Sequence, residues 1–252
     1  MPAAEPTRLT DLRQQIERIE GVTQRARSVL PFGVHEIDRN LRKGGLAFGA
    51  LHEIAGGANG AVDGAAAVSF AAGIAARTGG TVLWCHCQPD LFAPALAQSG
   101  LTADRVVFFE APDETAILDG LEKALRHGGL TAVVGEVSGL PLVASQRLQM
   151  AAEATGTMAL VVRRWRRHVD ARDFGNSTAS FTRWRVTPVT SGALPVRGVG
   201  RSRWYMEQMR TRGGKDFECE VEACDGKGFI AVPSLLADRP VETEDGRYRA
   251  VS

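Results

Sequence analysis

The sequence predicts an α/β fold: a mostly parallel central sheet flanked by helices, with C-terminal antiparallel strands and an N-terminal helix. Two observations carry this. Short apolar runs alternate with helical patterns between residues 50 and 162, which is the spacing of parallel strands joined by crossover helices. After Arg163 the apolar period drops to two, as in half-buried antiparallel strands. The length of 252 residues, with 44% hydrophobic and 23% charged side chains, suits one globular domain with a short appendage at each end.

The elements follow in order. Thr7 caps a first helix, in which Leu9, Leu12, Ile16 and Ile19 recur at i, i+3, i+7 and i+10. This apolar stripe has no core of its own, so residues 1–29 read as an amphipathic segment that docks on a partner or folds back on the chain. Val34, Ile37 and Leu41 then recur at helical spacing before a Gly44-Gly45 break. Ala50–Ala55 reads as a strand, Gly56–Gly64 as a glycine-rich loop and Ala65–Ala76 as a helix of small residues. Strands are expected at Thr81–Cys85, Val106–Phe109, Thr131–Val137 and Met158–Val162, with helices at Leu91–Ser99, Thr115–Arg126 and Val143–Ala154 between them. Phe181–Val189, Arg203–Arg210 and Phe217–Ala223 read as antiparallel strands, followed by a turn at Cys224–Gly228 and a last strand at Phe229–Val232. The core is expected over 30–232, and 233–252 as a polar, acidic tail.

Composition narrows the function classes. The longest weakly apolar run, Ala65–Ala76, is too short for a membrane span, which takes ~20 residues. Met1–Pro6 does not open an export signal, and the four cysteines lack a disulfide spacing, so a reducing, cytoplasmic location is expected. The net charge of +1 is unevenly spread: Arg163–Lys215 holds 13 Lys or Arg against three acids, Asp170, Asp173 and Glu207. Such segregation suggests a polyanionic partner, or a solvated face in an arginine-rich chain.

A strand, glycine loop and helix at Ile54–Ala67 is where a phosphate-binding loop would lie. Gly56, Gly57, Gly60 and Gly64 are present, but Ala65-Ala66-Ala67 follows where such loops carry lysine and a hydroxyl. Asp63 also sets a carboxylate where phosphate oxygens would approach. The loop reads either as a weak anion site or as a connection without nucleotide chemistry. Glu136 ends the fourth strand, as a Mg²⁺-binding acid or as a carboxylate accepting loop N–H groups. Cys85-His86-Cys87 places two cysteines on one strand face, far in sequence from Cys219 and Cys224, so no metal site is expected. Ser138 lacks the spacing of a nucleophile elbow.

Arginines supply the positive signal. Arg163, Arg164, Arg166 and Arg167 surround Trp165, Arg172 follows in a polar loop, and Arg201 and Arg203 flank a later strand. Guanidinium groups grip phosphates bidentately, so these seven are candidates for DNA backbone contacts. Trp184 and Trp204 read as core strand residues or as base-stacking ones.

Leu30-Pro-Phe-Gly-Val-His-Glu-Ile-Asp38 and Lys43-Gly-Gly-Leu-Ala-Phe-Gly-Ala-Leu-His-Glu-Ile54 resemble the start of the RecA recombinase core. Together with Trp84-Cys85, Asp90-Leu-Phe-Ala-Pro94, Val133-Val-Gly-Glu-Val137, Ser145-Gln-Arg-Leu-Gln-Met150, Arg183-Trp-Arg185 and Arg201–Gly213, they resemble the ImuA family of RecA-like proteins over roughly residues 30–232. That resemblance implies a RecA-like core and a role in SOS-induced mutagenic translesion DNA synthesis. The implied partners are RecA, the polymerase-like protein ImuB, indirectly an error-prone replicative-type polymerase, and DNA. It also exposes departures from RecA. No carboxylate follows Cys85-His86-Cys87-Gln88 before Asp90, the loop lysine and threonine have no counterpart, and the first DNA-binding loop shrinks to Ser138–Leu142. Arg163–Ser180 falls where the second DNA-binding loop would be, and nothing corresponds to RecA's separate C-terminal domain. The expected function is therefore a non-catalytic adaptor without cofactor, Leu9, Leu12, Ile16 and Ile19 meeting a partner. The alternatives are a nucleotide-driven recombinase or motor, and a SulA-like inhibitor of cell division.

Overall fold

The computed structural model describes residues 28–57, 60–165, 171, 174–191, 198, 200–211 and 215–233. Leu9, Leu12, Ile16 and Ile19 lie outside the described residues, as do Arg166, Arg167, Arg172 and the tail from residue 234.

In chain order, β1 (Val29–Leu30), one helical turn α1 (His35–Asp38) and β2 (Leu46–Ala47) precede β3 (Leu51–Gly56). Then come α2 (Gly60–Ala76), β4 (Val82–His86), α3 (Ala93–Gln98), β5 (Val106–Glu110), α4 (Glu114–His127), β6 (Ala132–Val137), α5 (Leu142–Thr155) and β7 (Met158–Arg163). The chain continues through β8 (Thr182–Val189), β9 (Arg203–Thr211) and β10 (Phe217–Glu222). β1 and β2 pair with each other; the other eight strands form one sheet in the order β10-β9-β8-β3-β7-β6-β4-β5. The predicted parallel strands appear within a residue at each end.

Three expectations change. Phe181–Val189 was expected to be antiparallel throughout, but β8 is antiparallel to β9 on one side and parallel to β3 on the other, so the antiparallel pairs of the main sheet are β8–β9 and β9–β10. A parallel return from β7 needs a crossover connection, and residues 174–181, the described stretch before β8, lie against the sheet. Phe174, Thr178, Ala179 and Ser180 on it are buried, and Phe181 N–H reaches Leu51 O at the start of β3, 2.7 Å away. Secondly, α2 begins at Gly60 rather than Ala65, because Gly60–Gly64 is already helical. Thirdly, Phe229–Val232 makes only a single bridge, Glu222 to Ala231, and is no strand.

Both sheet faces are covered. α2, apolar all round, lies on one face among Phe32, Ile54, Trp84, Val134, Leu160, Trp184 and Trp204. Both tryptophans read as ambiguous from sequence are thus core residues. α4 and α5 cover the other face over Leu51, Cys85, Val133 and Val161. Asp113 caps α4 by accepting from Ala116 N–H at 2.8 Å. Gly128 and Gly156 end α4 and α5 at φ +71°, a left-handed conformation that glycine adopts at no steric cost.

Candidate functional site

The carboxyl ends of β3, β4, β6 and β7 converge on one side, where open parallel sheets bind ligands. At that position a phosphate would need free backbone N–H groups and a cation. In the described part of the loop, the glycines are packed closely against the chain itself. A methyl group added to Gly57 would lie 2.5 Å from Asp63 Oδ2 and 2.5 Å from Thr187 Oγ1, and one on Gly56 would lie 2.5 Å from the Asp63 carbonyl carbon. Asp63 is buried. The side chain of Asp63 therefore packs against the glycines where phosphate oxygens would approach.

A cation beside this position, Arg164, is already committed. Arg164 Nε lies 3.7 Å from where a Gly64 methyl would be. Its guanidinium donates to both Asp90 carboxylate oxygens, at 3.1 and 2.8 Å, and to Glu136 Oε2 at 2.5 Å. Burial alone would lower the Arg164 pKa, but the bonds to Asp90 and Glu136 outweigh it and hold the pKa above its ordinary value. Glu136 also accepts from Trp84 Nε1 at 2.7 Å. It is neither a solitary acid nor a loop-amide acceptor, but one side of an internal ion pair.

A second charged cluster lies under the crossover and was not singled out in the sequence. Glu53 pairs with Arg163 (Oε1 to Nη1, 2.6 Å) with both side chains 0% exposed, and with Arg183 (Oε2 to Nε, 2.9 Å). Thr178 and Ser180 hydroxyls donate to Glu53 Oε2 at 2.9 and 3.2 Å. Arg163 also donates from Nε and Nη2 to Ser138 O, at 3.1 and 2.6 Å. Arg183 donates to the carbonyls of Phe174 and Asn176 and lies over the Phe174 ring. One carboxylate thus ties β3, β7, β8 and the 174–180 segment together. The signal was legible: a glutamate inside Leu51-His-Glu-Ile54, an otherwise buried strand, requires a buried cation.

The arginine candidates divide accordingly. Arg163 is corrected from a DNA contact to a core ion pair, because its guanidinium is enclosed. Arg164 is mostly buried and held by two carboxylates. Arg201 donates to Ala223 O and Phe229 O, and pairs with Glu222 at 3.2 Å, fastening the turn after β10. Arg203 is half-buried at the start of β9. Arg166, Arg167 and Arg172 fall outside the described residues, so the structure does not place them with the other four.

Two relatives from two strains of Caulobacter vibrioides, each named Protein ImuA, are 38% identical to this chain over 244 residues, 92% of this chain and 99% of theirs. The chain belongs to the ImuA family. The solved RadB recombinase superposes with a TM-score of 0.55 over 81% of this chain and 100% of that one, at 14% identity. That degree of identity speaks to fold alone, and the fold of this ImuA-family chain is RecA-like. No family model matches the chain.

Among the described residues no group of three His, Cys, Asp or Glu could hold a metal ion, and no helix is long and apolar enough to cross a membrane. Burial pushes the Cys85 and Cys224 thiols up to about 12, so neither offers a thiolate near neutral pH.

Proposed function

We propose that this ImuA-family chain is a non-catalytic RecA-like adaptor in mutagenic translesion synthesis. It contacts RecA, ImuB and DNA, and reaches the error-prone polymerase through them, with no nucleotide of its own. The observation that carries this reading is the packing of Asp63 and Thr187 against Gly57, with Arg164 committed to Asp90 and Glu136. Phosphoryl transfer is catalysed by positioning and charge stabilisation, and this arrangement supplies a carboxylate where the chemistry needs a cation.

In a thermal-shift titration, ATP with Mg²⁺ at millimolar concentration should leave the melting temperature unchanged, since a ligand that binds the native state raises it by mass action. A concentration-dependent rise, or a DNA-stimulated ATPase lost in Glu136→Gln, would mean a nucleotide-driven motor instead. Capture experiments with purified RecA, ImuB and the division protein FtsZ separate the adaptor from a division inhibitor; retention of FtsZ alone rejects the adaptor.

DNA contact is assigned to Arg166, Arg167 and Arg172, the candidate arginines outside the described residues. Changing Arg166, Arg167 and Arg172 together to alanine should weaken binding to single-stranded DNA and reduce its salt slope by about 2, at roughly 0.7 per phosphate contact on single strands. The same measurement on Arg201→Ala should show an unchanged slope, because that guanidinium serves the turn. Equal slopes for the triple variant and the wild type would remove DNA from the list of partners.

A further inference from the structure

Among the described residues β5 is the last strand of the sheet and pairs with β4 alone. It reads Val106-Val-Phe-Phe-Glu110, and Val107, Phe108 and Phe109 are 53%, 41% and 38% exposed. Phe92, just before α3, is 63% exposed. Edge strands are ordinarily protected by charges, proline or a bulge. The opposite edge, β10, has such protection, with Glu218, Glu220 and Glu222 at alternate positions. β5 has four apolar residues in a row, and among the described residues no strand pairs with its outer side.

The outward backbone groups can be assigned by parity. Ala111 N–H donates to His86 O at 2.8 Å, so the odd-numbered residues of this run turn their amides toward β4. Alternation along a strand then turns the N–H and C=O groups of Val106, Phe108 and Glu110 outward. These three form a pattern that is complementary to itself when reversed about Phe108.

We propose that β5 is a homodimer contact, in which two copies pair antiparallel with Phe108 opposite Phe108 and join their sheets into one. In that register the outward-facing residues of each copy, Val106, Phe108 and Glu110, meet as hydrogen-bonded pairs, each pair exchanging two backbone bonds. Val107 meets Phe109 of the second copy at the closer, non-bonded positions, a β-branched residue against an aromatic one. Glu110 meets Val106 and Arg105 meets Ala111, so no like charges stand directly opposite. The arrangement is isologous and closes on itself, leaving the glutamate-lined β10 edges at the two outer ends. With one short strand and its neighbours on each side, the contact lies at the low end of interface sizes, and dissociation at roughly 1–100 µM is expected.

Sedimentation velocity of the full chain over that concentration range tests it. The wild type should pass from monomer to dimer as concentration rises. Phe108→Lys and Phe108→Glu should each stay monomeric, since each puts like charges opposite, with melting temperatures close to wild type because the side chain is already part-exposed. An equimolar mixture of the two should recover the dimer, which only the Phe108-on-Phe108 register explains. Phe108→Pro, which deletes an outward N–H and leaves the β4 bonds intact, should be monomeric as well. A wild type that is monomeric throughout overturns the proposal and leaves the edge to a strand from another protein or from residues 1–27. A dimer that persists in both charged variants places the contact elsewhere, and a mixture that fails to recover it rejects the register.

Discussion

Replacing Glu53 with alanine should lower the melting temperature by about 10 °C. The side chain is fully buried and faces two guanidiniums, those of Arg163 and Arg183, together with the hydroxyls of Thr178 and Ser180. Removing one member of a buried ion pair leaves an uncompensated charge at a cost of about 3–5 kcal/mol. Here two cations are stranded. At roughly 2–4 °C per kcal/mol for a chain of this size, the shift should be about 10 °C or more. Glu53→Gln keeps an acceptor for the hydroxyls and should fall between alanine and wild type. Glu122→Ala is the contrasting case: its partners Arg126 and Arg147 have side chains 66% and 55% exposed, and surface pairs contribute about 0–1 kcal/mol. If thermal denaturation places Glu53→Ala within 2 °C of wild type, the guanidiniums are being satisfied by water and the cluster is not closed. Because Glu53 holds the 174–180 segment through Thr178 and Ser180, the same variant should make the amides of that segment exchange faster with solvent. That second readout ties the loss to the crossover itself and not to the sheet at large.

What the sequence revealed and what it hid follows from the range of the interactions. The parallel strands were legible because each is a local apolar run, and α2 because small residues recur without a polar face. The direction of β8 was not legible: period two marks a half-buried strand but says nothing about which neighbour it joins, and β8 alternates although it pairs with β3 in parallel. The start of α2 was misplaced because Gly60 and Gly64 read as loop residues, whereas glycine in a helix costs only about 1 kcal/mol and packing outweighs it. Of the candidate site, the absent lysine and hydroxyl were readable directly, and so was a carboxylate at Asp63 beside the loop glycines. The arginines misled in part, since composition counts charges without pairing them. Arg163 finds its carboxylate 110 positions away in Glu53, and Arg164 finds Asp90 at 74 positions. Only the folded topology brings those partners together, and it turns part of an apparent cationic patch into structural ion pairs.

His52 should make the fold less stable in mild acid. The ring is wholly buried on β3, with Nε2 at 2.8 Å from Ala47 O and Nδ1 at 2.8 Å from Thr182 Oγ1. A carbonyl only accepts, so Nε2 carries the proton and Nδ1 accepts from the Thr182 hydroxyl, whose oxygen in turn accepts from Trp184 Nε1 at 2.8 Å. Burial pushes the His52 pKa down from 6.5 to about 4, against a smaller upward pull from the bond to Ala47. Above pH 6.5 the ring is neutral whether the chain is folded or unfolded, and it gives no pH dependence. Between pH 6.5 and about 4 the unfolded chain takes up a proton that the folded chain refuses, so stability falls; below about 4 the loss is complete, at about 3 kcal/mol. Other groups titrate over the same range, so the comparison is between wild type and His52→Gln, which keeps a donor for Ala47 and cannot ionise. Urea melts at pH 7 and pH 5 should show the variant less stable than wild type at pH 7, with the gap shrinking by about 2 kcal/mol at pH 5. Parallel pH profiles for the two proteins would show that the ring is protonated or hydrated in the fold, and that the Trp184–Thr182–His52–Ala47 chain does not hold its neutral form.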